Sequence, residues 1–242
     1  MNDYDPNWWQ ADKAESLNRK SPEAKSTGDT FLIVTEGTVS EPVYFNLLRE
    51  DLGLSAVDVM VIPGDHSDPR HVIRTASKIV SSLSKRARKG KLSNDEVAKY
   101  DQVWAVIDTD VAVRNGIWND VQDLANGRKV KLAHSTPCIE FWFLLHLSDS
   151  TAQLADGDAA KSEMKSLVKK HYNGATYSTT QKEAEESIAL FFPNWPTAVI
   201  RAERIRQYHS KANTVPPANP STEVDLLVRA LNDSAPVHLQ QL

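Results

Sequence analysis

The chain has 242 residues, 40% of them hydrophobic and 25% charged, and its 28 basic and 32 acidic side chains give a net charge of −4. That is enough apolar material for a sizeable core, in one large domain or a core with an appendage; the charge gives no bulk case for nucleic-acid binding, which would need a local basic surface. A single cysteine, Cys138, excludes an internal disulfide or a cysteine-rich zinc site, and the longest apolar run, Cys138 to Leu147, is interrupted by Glu140 and His146 and falls short of the ~20 residues of a membrane span.

Residues 1–29 are polar and read as an arm whose Trp8 and Trp9 pack on the body or on a partner. Order begins at Thr30 with the short apolar run TFLIV, closed by Glu36-Gly37. EPVYFNLLRED follows, with Pro42 near a helix start and Val43, Tyr44, Leu47 and Leu48 at helical spacing. VDVMVIPG reads as a second strand, and Asp68 to Gly90 as a helix with Val72, Ile73, Ala76, Ile79, Val80 and Leu83 on one face. The third strand is VWAVIDTDV, Val103–Val111, an apolar run that ends in two carboxylates two residues apart. A short helix from Trp118 to Leu124, a turn at Asn126-Gly127, a fourth strand VKLAHS and a helix opened by Pro137 complete the first part.

Four strand–helix alternations specify an α/β fold: a mostly parallel four-stranded sheet with helices on both faces, joined by right-handed crossovers. After Ser148 only helical patterns remain, near Ala159–His171, Gln181–Phe191, Thr197–Tyr208 and Thr222–Leu231. The expected organisation is an arm over 1–29, an α/β domain over 30–147 and a helical region over 148–242 packing on the core.

In open α/β sheets, ligands bind beyond the carboxyl ends of the strands. Glu36 ends the first strand, Asp108 and Asp110 end the third, and Glu140 follows the fourth. Each alone is equally a turn former, an N-cap or a helix-start acid. Four gathered at one edge would raise each other's pKa and destabilise the fold unless a cation joined them. On an extended segment, Asp108 and Asp110 would face the same way ~7 Å apart. Oxygen ligands alone favour Mg²⁺ or Mn²⁺ over zinc, and a pair of such ions clamps the attacking and leaving oxygens of a phosphodiester. Gly37 would let backbone approach a phosphate.

Glu36-Gly37 after a first strand, followed two βα units later by Asp108-x-Asp110, resembles a Toprim domain over about Phe31 to Leu147. Three further blocks resemble the RloB family of Toprim-related phage-defence proteins. IVTEGTVSEPVYF is similar to its E-G-x-x-T-E-x-x-Y-F signature, with Ser40 for the usual Thr. HSTPCIEFWFLLH is similar to its S-N-P-C-F-E-x-W-x-x-L-H block, with Thr136 for Asn and Ile139 for Phe, and NPSTEVDLLV (Asn219–Val228) to its N-P-S-T ending. The resemblance implies a toxic endonuclease of an abortive-infection system, cutting RNA such as tRNA, or DNA; the lone cysteine and the short apolar run point to a cytoplasmic protein. An ABC-type or AAA-type ATPase partner (RloA-like) would hold or activate it; homo-oligomerisation is open, and no membrane is implied. Carried over, Glu36 is a general base or metal ligand, Asp108 and Asp110 are Mg²⁺ ligands, and Glu140 and Glu41 complete the site.

KRARKGK, with Lys85, Arg86, Arg88, Lys89 and Lys91, grips nucleic-acid phosphates or is a solvated helix end. Arg201 and Arg204, in RAERIRQYHSK, mark a second candidate face that a packed surface helix explains as well. His134 ends a strand near the acids and is a candidate phosphate contact; His146 reads as a packed histidine and Cys138 as a small buried residue. The rival to a nuclease is a non-catalytic adaptor that binds the ATPase and senses a phage component. A primase or topoisomerase fragment is weaker, since neither a tyrosine-bearing second domain nor a zinc ribbon is legible.

Overall fold

The computed structural model describes residues 28–56, 58–64, 68–92 and 99–242. The arm, with Trp8 and Trp9, lies outside the described residues except for its last two positions. The elements of the first half are β1 (Phe31–Thr35), α1 (Ser40–Asp51), β2 (Val59–Pro63), α2 (Pro69–Arg88), β3 (Gln102–Asp108), α3 (Asp110–Arg114), α4 (Trp118–Arg128), β4 (Lys131–Thr136) and α5 (Ile139–Leu147). The second half supplies α6 (Gly157–His171), α7 (Gln181–Phe191), α8 (Trp195–Lys211), β5 (Ser221–Thr222) and α9 (Val224–Ser234).

The sheet order is β2-β1-β3-β4-β5, with the first four strands parallel and β5 antiparallel to β4. The expected sheet of four strands therefore has a fifth. β5 is two hydroxyl residues long, with no alternating apolar signal, and side-chain bonding compensates: Ser135 Oγ and Thr222 Oγ1 sit 2.8 Å apart, fully buried.

β1 is buried along its whole length, as a central parallel strand covered on both faces must be. Side chains alternate between the faces. Phe31 and Ile33 join Trp104 and Val106 in one apolar cluster, whereas Leu32 and Val34 join Ala105 and Ile107 in the other. α2 and α4 cover the second face, where Val72, Ile73, Ala76 and Leu83 of α2 repeat at helical spacing. α2 begins cleanly: Asp68 accepts the Arg70 N–H at 2.9 Å and Pro69 occupies the first turn.

Apart from Glu140 and His146, α5 is apolar on every side, a pattern that needs cover all round. The sheet supplies one wall and the C-terminal helices the rest. Trp142, Trp195, Phe191, Leu227 and Leu231 share one cluster with the β1 residues. Arg206–Asp225 and Glu203–Arg229 ion pairs join α8 to α9. Among the described residues, no helix is long and apolar enough to cross a membrane.

Two local expectations are corrected. The expected turn at Asn126-Gly127 lies inside α4, which runs to Arg128; the reversal is made by Lys129, at φ 56°. The chain also leaves the extended conformation earlier than expected after Asp108. Thr109 adopts helical angles and Asp110 opens the five-residue helix α3, so the two aspartates do not share a strand face.

Candidate carboxylate site

The carboxyl edge of β1 and β3 gathers Glu36, Glu41, Asp108 and Glu140. Glu36 Oε2 accepts the Asp108 N–H at 3.1 Å, tying the end of β1 to the end of β3. Glu41, in the first turn of α1, turns back so that its Oε1 accepts the Gly37 N–H at 2.9 Å. Asp108 Oδ1 accepts the Ile139 N–H at 2.8 Å, using a free donor at the start of α5. One residue on, Glu140 Oε1 accepts from the Tyr177 hydroxyl at 3.2 Å. Glu41 and Glu140 are 5% and 3% exposed, so two full carboxyls lie in the interior.

A Cβ at position 37 would meet the Glu41 carboxylate, so a side chain there would have to displace the group that accepts the Gly37 N–H.

Burial and mutual repulsion shape the electrostatics. Burial pushes the Glu36 carboxyl up to about 8, opposed by its bond from the Asp108 N–H and reinforced by the charges of Glu41, Asp110 and Asp68. Burial also pushes Glu41 up to about 7; the Glu140 charge adds to this, while backbone N–H groups and Lys161 oppose it. Asp108 is held well above the ordinary range by burial first, then by the charges of Glu41, Glu36 and Glu140. Among the described residues, no three His, Cys, Asp or Glu side chains are grouped so as to hold a metal ion.

Asp110 lies beside this group, its charge acting on Glu36, and its N–H donates to the Pro137 carbonyl at 3.2 Å. His134 is placed elsewhere. Its β3 partner Ile107 belongs to the α2/α4 face, and the imidazole sits 4.9 Å from the Trp118 ring, with Nδ1 3.4 Å from Glu223 Oε2. Burial lowers its pKa to about 4. His146 is a core residue: its Nδ1 lies 3.1 Å from the Trp142 carbonyl and its Nε2 3.2 Å from the Tyr44 hydroxyl, and burial lowers it to about 3. Cys138 is 3% exposed, and burial pushes its thiol up.

The basic candidates are remote from the acids. Lys85, Arg86, Arg88, Lys89 and Lys91 lie at the far end of α2, where Arg88 Nε donates to the Ser84 carbonyl at 3.3 Å and Arg86 Nη2 to the Lys91 carbonyl at 3.2 Å. Arg201 Nη1 donates to the Leu145 carbonyl at 2.7 Å and so closes the end of α5. With Arg204, it also lines a small pocket that includes Tyr208 and Asp149.

Two residues of the site were absent from the sequence reading. Lys161 of α6 carries the nearby positive charge: the Glu140 charge raises its pKa, and Asp108 contributes. Tyr177, from the loop before α7, supplies the hydroxyl on Glu140. Neither has a local signal, because Lys161 is one of several lysines on its helix and only the fold brings it to the acids.

In a chelating buffer, stability is expected to fall as pH rises from about 6.5 to 8. Unfolded glutamates, at the ordinary 4.5, are ionised across this window, whereas folded Glu41 and Glu36 hold protons up to about 7 and 8. The native state therefore binds more protons, and its advantage disappears as pH passes those values. His134 and His146 act with the opposite sign and only below 6.5, since their folded values are about 4 and 3. Thermal melts in EDTA should show the midpoint dropping by about 5 °C between the two pH values, and Glu36→Gln should flatten the slope. An unchanged midpoint in the wild type would contradict this electrostatic description.

Comparison with known protein families gives a match to the RloB family, described as RloB-like protein, over residues 31–231. No curated protein and no solved structure matches the chain.

Proposed function

The chain belongs to the RloB-like protein family, and on that premise we propose that it is a metal-dependent, Toprim-like endonuclease, the toxic effector of an anti-phage system with an ATPase partner. The observation that carries this reading is the carboxylate group itself. Buried Glu41 and part-buried Glu36 and Asp108 converge at the ligand-binding edge of a parallel sheet, where burial and their mutual charges raise their pKa values. Each acid accepts a backbone hydrogen bond, but their mutual repulsion is a cost to the fold that a cation would reverse.

The donor set is hard oxygen only, which fits Mg²⁺ or Mn²⁺. Glu36, Asp108 and Asp110 would hold the ion, with Glu41 and Glu140 completing the site. A bound ion of this kind lowers the pKa of a water or polarises a phosphate. The chain's own groups have separate tasks. Ionised beside the cation, Glu36 would be placed to take a proton from an attacking water. Lys161 supplies positive charge beside Glu140 for a phosphate oxygen. The Ile139 N–H keeps Asp108 aimed at the edge.

A second reading, a non-catalytic adaptor bound to the ATPase, is favoured by a different observation. Glu36, Glu41, Asp108 and Glu140 each already accept a hydrogen bond from the chain, and among the described residues none forms part of a grouped ligand set. The two readings separate when the full chain, with and without its partner, is incubated with tRNA, single-stranded DNA or duplex DNA plus Mn²⁺ or Mg²⁺. Cleavage that Asp108→Ala abolishes establishes the nuclease. Full defence in cells by Glu36→Ala and Asp108→Ala proteins establishes the adaptor.

A further inference from the structure

Away from the carboxylates, the outer surface between α2 and α4 carries a groove of about 250 Å³ lined by Ser77, Lys78, Ser81, Ser82, Lys85 and Arg128. Its lining is three cations and three hydroxyls, with no acid, in a chain whose net charge is −4. Ser77, Ser81 and Lys85 recur every four residues, and Lys78 and Ser82 form the adjacent row, so two neighbouring ridges of α2 present donors in one direction. Arg128, in the last turn of α4, closes the opposite wall and is fixed there by a bond from Nη1 to Ser77 Oγ at 3.2 Å. A solvated lysine face would need no second wall. Two elements converge here with three cations and no carboxylate, although the Ser81 hydroxyl already donates to the Ser77 carbonyl at 2.8 Å.

We propose that this groove binds the phosphodiester backbone of a nucleic-acid strand. Hydroxyls and cations are the donors that contact phosphate oxygens without reading bases, and a guanidinium already oriented by Ser77 suits that geometry. The inference rests on the nuclease reading for its direction along the molecule. α2 starts at the carboxylate edge, where the Asp68 charge acts on Glu36, and runs away from it. At ~1.5 Å per helical residue, Ser77 lies ~13 Å and Lys85 ~25 Å from that end. With ~3.4 Å of axis per residue of one strand, the groove would hold the backbone about four to seven nucleotides from the phosphodiester at the acids. Arg86, Arg88 and Lys89 extend the same charge beyond Lys85.

The test is binding without cleavage. The full chain in EDTA is titrated into a fluorescent 20-nucleotide single-stranded RNA, and into DNA single strand and duplex of the same sequence, at salt from 50 to 200 mM. Binding of any of these by the wild type, weakened at least about 10-fold in Lys78→Gln/Lys85→Gln/Arg128→Gln with a salt slope lower by about 2 to 3, supports the groove. The charge-matched Lys165→Gln/Lys169→Gln/Lys170→Gln protein, altered on α6, should bind as the wild type does. Wild-type affinity in the groove variant, equal loss in the α6 variant, or no binding by the wild type would each overturn the proposal. Wild-type cleavage assays in Mn²⁺, with and without the partner, separate the two claims: groove-dependent binding by a wild type that does not cut removes the nuclease reading and leaves the groove.

Discussion

Asp108→Asn is expected to lose cleavage by at least about 100-fold and, in EDTA above neutral pH, to melt higher than the wild type. Two opposite effects follow from one position. In the folded chain, burial and the charges of Glu41, Glu36 and Glu140 hold the Asp108 carboxyl well above its ordinary value. In the unfolded chain it is ionised at pH 8, so folding carries a proton-uptake or charge-burial cost that the amide does not have. The amide oxygen still accepts the Ile139 N–H, so the tether to α5 survives. Removing one negative charge also relieves Glu36 and Glu41, whose carboxyls are pushed up to about 8 and 7. Activity built on repelling acids is commonly held at the expense of stability.

Adding Mn²⁺ should then raise the wild-type midpoint and leave the variant nearly unmoved, because a ligand that binds only the native state stabilises it by about 2.7 kcal/mol at 100 times its Kd. Initial rates and melts with and without metal check all three statements. A variant that cuts like the wild type, or a wild type that Mn²⁺ does not stabilise, would remove Asp108 from the metal site. A variant that melts well below the wild type in EDTA would make the carboxylate a structural group.

The alternation that revealed β1 to β4 was legible because parallel strands buried on both faces need uninterrupted apolar runs, and FLIVT and VWAVI have them. The same topology puts Glu36, Asp108 and Glu140 at the carboxyl edge of the sheet. What sequence spacing missed depends on distance in space. β5 is Ser221-Thr222, two hydroxyl residues that pair with Thr136 and Ser135 and have no apolar pattern to announce a strand. Asp110 was read as an extension of β3, but Thr109 bends into helical angles while its N–H still bonds Ser135 O at 3.0 Å. Lys161 and Tyr177 reach the acids only because α6 and the loop before α7 fold back over α5. The uniformly apolar face of α5 was the sequence's trace of that cover.

Phe143→Ala is expected to cost about 3–5 kcal/mol, the usual range for removing a buried aromatic ring. Phe143 is 0% exposed and meets Tyr44 at 5.4 Å, Phe191 at 5.5 Å and Tyr177 at 6.4 Å between ring centroids. Those three neighbours come from α1, α7 and the loop before it, so the ring is where the sheet side and the C-terminal cover lock together. A cavity there cannot close by moving one side chain, since Tyr44 and Phe191 also flank His146. For a chain of this size the loss lowers the melting midpoint by roughly 10 °C, a large part of a typical total stability of about 5–15 kcal/mol. Phe143→Leu, which keeps most of the volume, should cost clearly less. The site feels the change as well. Tyr177 rests against Phe143 and donates to Glu140, so a loosened ring frees that hydroxyl and lets Glu140 move. Phe143→Ala should therefore weaken Mn²⁺ stabilisation more than an equally destabilising cavity on the other face, such as Ile73→Ala beneath α2. Melts of both variants with and without Mn²⁺ compare the two, and equal losses would mean that Phe143 supports the fold without positioning the carboxylates.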